Sequence, residues 1–427
     1  MKRIYASLIL TTSLLWVSVS TADETSASPS EPQTDETTTL DTAEETNTPP
    51  TVANAVKNEE TNASPADADA VKTEETNEPL ADTNGVKKKK KKRKKVRVKA
   101  RIHTRWEMEH QPDLSGDDET TNEFIIRRTR FKLEWEPEPW LLAKIQVGGF
   151  HRVGSSNLQS LLRDAYLHFS PFKYLEIRAG LFKKGFGRLA LQSSGKLRVV
   201  ERGEGNDLIL DELRYGGRDI GLQLSGRIVP SVKLDYTLGV FNGTNVTNGD
   251  NREFGDEKDI VARLKISPIK YLGVGASGSF KFFSDVENQE KSAWAAGADA
   301  VMKLAGFRLH LEGIFAQNHL TTRNSVAEED LPDKMPLIIS GVGILSYCHK
   351  FNGTFKLAVE PLFKMEVLDP DSKIVDDEVF TYSPGFNTYL GKYLRLMLHG
   401  EFRRPLRNSR EAYPKQEKLI IQLCFDI

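Results

Sequence analysis

LLRDAYLHFSPFKYLEIRAGLFKKGFGRLALQSSGKLRVVERGEGNDLILDELRYGGRDIGLQLSGRI, residues 161–228, reads as two short strands joined by a tight turn, a long polar excursion and a third strand. Leu161, Arg163, Ala165, Leu167 and Phe169 fall in one phase, and Leu162, Asp164, Tyr166 and His168 in the other. SPFK at 170–173 is the turn, after which Leu175, Ile177, Ala179 and Leu181 line a face opposite Glu176 and Arg178. Beyond the excursion, Ile220, Leu222, Leu224 and Ile228 alternate with Asp219, Gly221, Gln223, Ser225 and Arg227. Period-two alternation with one apolar phase marks half-buried strands. Repeated around a closed sheet, it is also the pattern of a membrane β-barrel, with lipid outside and water inside.

The same alternation begins at Val96. In VRVKARIHTRWEME, Val96, Val98, Ala100, Ile102, Thr104, Trp106 and Met108 share one phase, and Arg97, Lys99, Arg101, His103, Arg105, Glu107 and Glu109 the other. That length suits a tilted membrane strand better than a soluble one. Fifteen further strands are expected at about 124–136, 141–150, 161–169, 174–182, 218–228, 232–242, 258–267, 271–283, 293–304, 307–319, 337–350, 353–366, 380–391, 394–404 and 416–427. Short connections such as WEPEPW, SPIKYL, LAGF and GKYL alternate with longer polar ones at 110–123, 151–160, 183–217, 243–257, 284–292, 320–336, 367–379 and 405–415. The expected fold class is therefore all-β, a sixteen-stranded antiparallel transmembrane barrel whose short turns face the periplasm. A β-solenoid or propeller needs a fixed repeat that the sequence lacks; a secreted array of soluble β-sandwiches is the competing architecture.

Charges keep to one phase. Phe131, Leu133 and Trp135 oppose Arg128, Arg130, Lys132 and Glu134, and Phe307, Leu309 and Leu311 oppose Arg308, His310 and Glu312. A charged side chain at mid-depth on a lipid-facing strand costs about 2–4 kcal/mol, which accounts for the segregation. Trp106, Trp135, Trp140, Tyr174, Tyr271 and Tyr393 lie close to strand ends, at the depth that amphipathic rings prefer.

Ahead of the barrel at 96–427 lie two other segments. Residues 1–22, with Lys2 and Arg3 before an apolar run and small residues at the end, read as a secretory signal peptide. Residues 23–95 form a low-complexity tract that ends in KKKKKKRKK at 87–95. The 63 residues from 23 to 85 carry 16 acidic and two basic side chains and no aromatic ones, a composition expected to stay disordered. Behind a signal peptide the lysine run points to anionic headgroups, cell-wall polymer or the acidic tract itself, and away from nucleic acid. No later stretch has 18 consecutive apolar residues, so helical membrane spans are not expected. Two cysteines, Cys348 and Cys424, exclude a disulfide framework and a four-cysteine metal cluster.

RRTRFKLEWEP at 127–137, LLRDAYLHFSPF at 161–172, EIRAGLFKKGFG at 176–187, Ser193–Ser194, Glu201–Arg202, GRDIGLQLSG at 217–226 and VFNGTN at 240–245 resemble the phosphate-selective porin O and P family of Gram-negative outer membranes. The resemblance covers roughly 96–427 and is most specific over 127–245. It implies a water-filled sixteen-stranded channel with basic residues along its path, embedded among outer-membrane lipid and lipopolysaccharide. It further implies trimers, and delivery by the barrel assembly machinery through a terminal aromatic. Here the chain ends LIIQLCFDI, with Phe425 two positions before the terminal Ile427.

By the same resemblance, the loop 183–217 folds inward and narrows the pore. It is also the longest external connection, and Leu208-Ile209-Leu210 offers an apolar anchor. A loop lying on the outer surface is the alternative. Its cations are Lys183, Lys184, Arg188, Lys196, Arg198 and Arg202, opposed by Glu201, Glu204, Asp207, Asp211 and Glu212. On the wall, Arg97, Lys99, Arg101 and Arg105 of the first strand and Arg128, Arg130 and Lys132 of the second form the candidate anion path. Residues 96–427 hold 46 basic and 44 acidic side chains, so any anion preference must come from local arrangement. The expectation is a passive channel for small hydrophilic solutes that favours anions, with phosphate or polyphosphate implied by the resemblance. A non-selective diffusion porin, tethered to the envelope through 23–95, is the alternative.

Catalysis has little support in the residues. The eight histidines show no metal-ligand spacing, and GRDIG lacks the βαβ context of a dinucleotide fingerprint. No cofactor or metal is expected, and Asp164, Tyr166 and His168 read as a polar row facing the lumen.

Overall fold

Backbone N–H and C=O groups have no water to bond inside a bilayer, so strands that cross one must pair on both edges and close. The computed structural model describes residues 95–112, 118–149, 161–243, 258–284, 290–320, 335–353 and 356–427. Within them the strands are β1 (Lys95–Pro112), β2 (Asp118–Glu138), β3 (Leu141–Val147), β4 (Leu162–Phe172), β5 (Leu175–Lys183), β6 (Arg218–Val229), β7 (Leu234–Phe241) and β8 (Asp259–Ile269). They continue as β9 (Leu272–Ser284), β10 (Glu290–Leu304), β11 (Phe307–Gln317), β12 (Leu337–Tyr347 with His349–Lys350), β13 (Leu357–Asp369), β14 (Val379–Leu390), β15 (Leu394–Pro405) and β16 (Gln416–Asp426). The two parts of β12 pair with the same neighbour, β13, and count as one interrupted strand. Each strand runs antiparallel to the next, and β1 closes the ring on β16, with Arg101 opposite Asp426 and His110 opposite Glu417. Ala100 and Ile427 extend that seam by exchanging backbone hydrogen bonds of 3.2 and 2.9 Å. The protein is a closed sixteen-stranded barrel, as the alternation predicts.

The expected signal peptide and acidic tract, and the lysine run except its last residue, lie outside the described residues. Lys95 opens β1 opposite Glu136, beside the short turn that joins β2 to β3. β1 therefore begins at the periplasmic rim. Among the described residues no helix is long and apolar enough to cross a membrane.

The apolar phase faces outward. Phe131, Trp135, Leu264, Leu311 and Leu398 are exposed on the outer wall, while Arg128, Arg263, His310, Glu312 and His399 are buried inside. The last strand follows suit: Leu419, Ile421, Leu423, Phe425 and Ile427 face out, and Ile420, Gln422 and Cys424 face in. Trp135, Trp140, Tyr174, Tyr271 and Tyr393 are exposed beside the short turns, where a headgroup-depth belt belongs.

Away from the short turns, the sequence phase fails at two bulges, both at arginines. On β2, His103 pairs with Arg128 but Thr104 pairs with Ile126, so Arg127 is the extra residue. On β4, Gln146 pairs with Asp164 but Val147 pairs with Leu162, so Arg163 is extra. A bulge lets two successive side chains leave on the same face. Arg127 and Arg128 accordingly both reach the lumen. Arg163, which strict alternation groups with the outward Leu167 and Phe169, instead sits in the field of Arg218, Asp211 and Asp164 inside.

The lipid-facing assignment predicts that Leu311→Arg, mid-strand on β11, destabilises the barrel by about 2–4 kcal/mol in denaturant titrations from lipid vesicles. A change within 0.5 kcal/mol of zero would place that face in water.

Candidate functional site

Residues 184–217 leave β5 and return at β6 as a string of helical turns: Arg188–Leu191, Ser194–Lys196, Glu204–Asn206 and Asp207–Glu212. The loop lies inside the barrel, held by three apolar patches. Leu189, Leu197 and Val199 pack on Val342, Ile344 and Leu362, and Val200 packs on Met397, Ile420 and Cys424. Ile209, Leu210, Leu213 and Tyr215 join Phe182, Phe241, Phe283, Ile314 and Ile338 in the largest patch. Each such side chain stabilises the docked loop by roughly 1.5–3 kcal/mol relative to exposure. The apolar run noticed in the sequence is thus part of the anchor.

Polar contacts fix the loop in rotation. Glu201 receives three arginines: Arg105 Nη2 at 2.6 Å, Arg127 Nε and Nη2 at 2.7 and 3.0 Å, and Arg128 Nη2 at 3.1 Å. Burial works to raise the Glu201 carboxyl, but Arg127, Arg128 and Arg105 outweigh it and hold the group far below the usual carboxylate range. On the opposite wall, the backbone N–H groups of Arg188 and Leu189 donate to Glu312 Oε2 at 2.6 and 2.8 Å, and Gly205 N–H donates to Glu366 Oε1 at 2.8 Å. Gly203, at φ 117°, passes so close to the Glu366 carboxylate that a Cβ would collide with it. Lys184 is buried against Asp259 at 2.6 Å, and Arg403 pairs with Glu204.

These contacts reach most of the ring, including Phe182 at the end of β5, but none of them falls on β3 or β4. The wall from β2 to β6 carries Arg130, Arg163, Lys183 and Arg218. Arg218 pairs with Asp164 at 2.8 Å, and Lys183 donates to Ala190 O at 2.5 Å. Arg130 and Arg163 have neither a hydrogen bond nor an ion pair among the described residues, and each feels Arg218 as its strongest charged neighbour. Facing them from the loop are Asp207, Asp211 and Arg202. Burial, then Glu201 and Asp211, push Asp207 up to about 7, while Arg202 falls below its ordinary value, chiefly through burial.

The other expected path residues are dispersed. Arg97 sits at the periplasmic rim, 3.4 Å from Glu134, and Lys132 is 2.7 Å from the same carboxylate. Lys99 lies beside them on the inner face of β1, directly across from Lys132. Arg101 pairs with Asp426 and donates to Ser194 Oγ at 2.9 Å, which ties the seam strand to the loop. Arg188 and Arg198 reach Asp299 and Glu360 at 3.1 and 2.9 Å. Arg202 caps the carbonyls of Leu189 and Gln192, and Lys196 is exposed. Sequence reading missed Arg127, Arg163 and Arg218; the doubled arginine at 127–128 was the available signal for the first.

Two cavities flank the loop. The one towards the long connections, about 550 Å³, has mixed charge, with Glu204, Asp207, Glu366 and Glu401 near Arg105, Arg127 and Lys364. The one towards the short turns, about 350 Å³, is lined by Arg188, Arg198, Arg263, Lys265, Lys303 and Arg308, with no carboxylate. Lys303 and Arg308 have no hydrogen bond or ion pair among the described residues.

A closed sixteen-stranded barrel with a loop docked inside it defines an outer-membrane diffusion channel, a porin, which transports rather than catalyses. The sequence narrows this further: residues 96–299, from β1 into β10, match the family model described as phosphate-selective porin O and P. Among solved structures, the anion-selective porin from Comamonas acidovorans is similar in fold (12% identity, TM-score 0.51), covering 78% of this chain and 100% of that one. The outer membrane channel DcaP of Acinetobacter baumannii (10%, 0.53) covers 79% of this chain and 98% of its own. OmpF of Salmonella typhi, solved with daunomycin (10%, 0.52), covers 78% and 98%. No curated protein matches the chain in sequence.

Two outcomes follow from this geometry. Glu201→Gln removes the carboxylate shared by three arginines, so we expect the loop to loosen by about 1–3 kcal/mol, read as faster protease cleavage within 184–217 in the folded barrel. Cleavage as slow as in the parent would assign the docking to the apolar patches alone. Asp207 is neutral below about pH 7 and charged above it. Anion preference should therefore fall as pH rises from 6 to 8, and Asp207→Asn should flatten that dependence in bilayer reversal potentials. An unchanged slope in the variant would assign the titration to another group, such as Asp377 of the β13–β14 loop, also pushed up to about 7 by burial and by Asp369.

Proposed function

We propose that the channel favours small anions, and that the selective element is the arginine wall beside the loop rather than the first-strand ladder alone. The observation that carries this reading is the pair of unpartnered arginines, Arg130 and Arg163, on the wall around β3 and β4, where none of the loop's docking contacts falls. Among the described residues neither guanidinium is tied up in a hydrogen bond or ion pair, although Asp211 and Asp164 lie in the field of Arg163, so both keep donors for a passing solute, whereas Arg105, Arg127 and Arg128 spend theirs on Glu201. The carboxylate-free cavity towards the periplasm supports the same reading, as an exit vestibule of like sign. Weak contacts spread over several cations let an anion enter and leave. The family description supports phosphate or polyphosphate as the favoured anion.

The finer assembly belongs to the same proposal: a homotrimer delivered by the barrel assembly machinery, with the lysine run 87–95 on anionic headgroups or cell-wall polymer. A non-selective porin is the second reading, favoured by the Glu201 lock, which shows that many lumen arginines serve the wall.

The test is Arg130→Gln with Arg163→Gln in planar bilayers under a salt gradient. We expect the anion-to-cation permeability ratio to drop several-fold near 0.1 M salt and much less near 1 M, where the screening length shortens from about 10 to about 3 Å. A ratio unchanged at low salt would mean the wall is not the selective element, and the non-selective reading would stand.

A further inference from the structure

We propose that the inner face of β1, β15 and β16 carries a binding site for a soft monovalent metal ion, Cu(I) or Ag(I), formed by Cys424, Met397 and His103. Sheet register brings the three together. Cys424 pairs across the closing seam with His103 and on its other side with Arg395, and Met397 pairs with Gln422, two residues before Cys424 on the same face. The Cys424 Sγ and Met397 Sδ lie 3.7 Å apart. Two sulfur ligands at about 2.3 Å around a three-coordinate metal stand about 4 Å apart, so the sulfurs are already near ligand spacing. Gln422 Nε2 donates to both, at 3.2 and 3.5 Å, and holds the pair in place.

His103 supplies the independent observation. Its side chain is 0% exposed, and neither ring nitrogen makes a hydrogen bond. With only the long approach of Asp426 Oδ2, 3.6 Å from Nε2, and the Cys424 thiol across the strand pair to engage it, this dry imidazole is poorly satisfied, which costs free energy. A carboxylate beside one ring nitrogen orients the imidazole and leaves Nδ1 as the ligand atom.

The charges select the class of metal. Binding releases the thiol proton to solvent, and a thiolate with a monovalent ion is neutral overall. Arg395 Nη2, 3.7 Å from Sγ, tolerates a neutral complex and stabilises the thiolate, but would repel the net charge a divalent ion leaves. Thiolate with thioether is also the soft donor set that Cu(I) prefers. Among the described residues, no three His, Cys, Asp or Glu side chains converge as a metal site, and the proposed site stands or falls on the Met397 thioether. Val200 of the inward loop packs over the sulfurs and closes the site from the lumen.

The experiment uses the full-length protein in detergent with Cys348→Ser, which removes the other thiol. Cu(I) is titrated anaerobically against a chromophoric chelator, and Ag(I) in parallel. We expect one ion per chain, lost in Cys424→Ser and weakened at least ~10-fold by Met397→Leu and by His103→Gln. Heat-modifiable migration on gels checks that each barrel has folded, and Met397→Leu, nearly isosteric, keeps the test valid if His103→Gln does not fold. Binding no tighter than in Cys424→Ser overturns the site. Equal affinity in Met397→Leu overturns it too, because capture would then need only the thiol.

Discussion

Closure is the constraint on which everything else depends. A backbone N–H left unpaired in hydrocarbon costs several kcal/mol, so the sheet has no tolerance for an open edge. The seam between β1 and β16 meets that demand down to the hydrogen bonds of Ala100 with Ile427. It also gathers several polar side chains on its inner face. Asp426 is bonded by Arg101 and lies beside His103, and Arg101 in turn reaches the loop at Ser194. The seam thereby helps to hold the loop that shapes the passage.

Once the ring is closed, its interior has to be filled without leaving charges dry. The loop does this with alternating patches of Leu, Ile and Val and of arginine–carboxylate contact. Glu201 is the clearest case: one carboxylate satisfies three guanidinium groups that would otherwise repel one another at close range. Bulges at Arg127 and Arg163 extend the same economy. By turning one extra side chain inward, each bulge adds a cation to the lumen without placing one in lipid. Arg127 then binds the loop, while Arg163 stays without a partner, so one device serves both docking and the undocked wall.

The fold was legible because its signal is local and repeated. A period of two, charges held to one phase and short turns alternating with long ones follow directly from lipid outside and water inside, and they recur around most of the ring. The entry of loop 184–217 into the lumen was legible in part, through its length and Leu208-Ile209-Leu210. Which arginines stand free was not. Whether Arg128 or Arg130 faces a carboxylate depends on where Glu201 docks some 70 residues later, and Arg163 reads as lipid-facing until the bulge is known. Partnering across a barrel is a non-local property, and strict alternation erases single-residue insertions.

Bulk charge was equally silent about selectivity, for a physical reason. Near-equal numbers of acids and bases in 96–427 describe the sum over rims, walls and loops. A permeating solute responds only to charges within a screening length, about 8 Å at physiological salt. On that scale the interior is uneven: acids mix with bases on the side of the long connections, while the cavity towards the short turns is lined by six cations, four of them paired with Asp299, Glu360 or Asp235 behind the lining. A solute entering from outside thus meets a small surplus of acids first and net positive charge later. Local charge of this kind is what the proposed anion preference rests on, and a near-zero net charge does not oppose it.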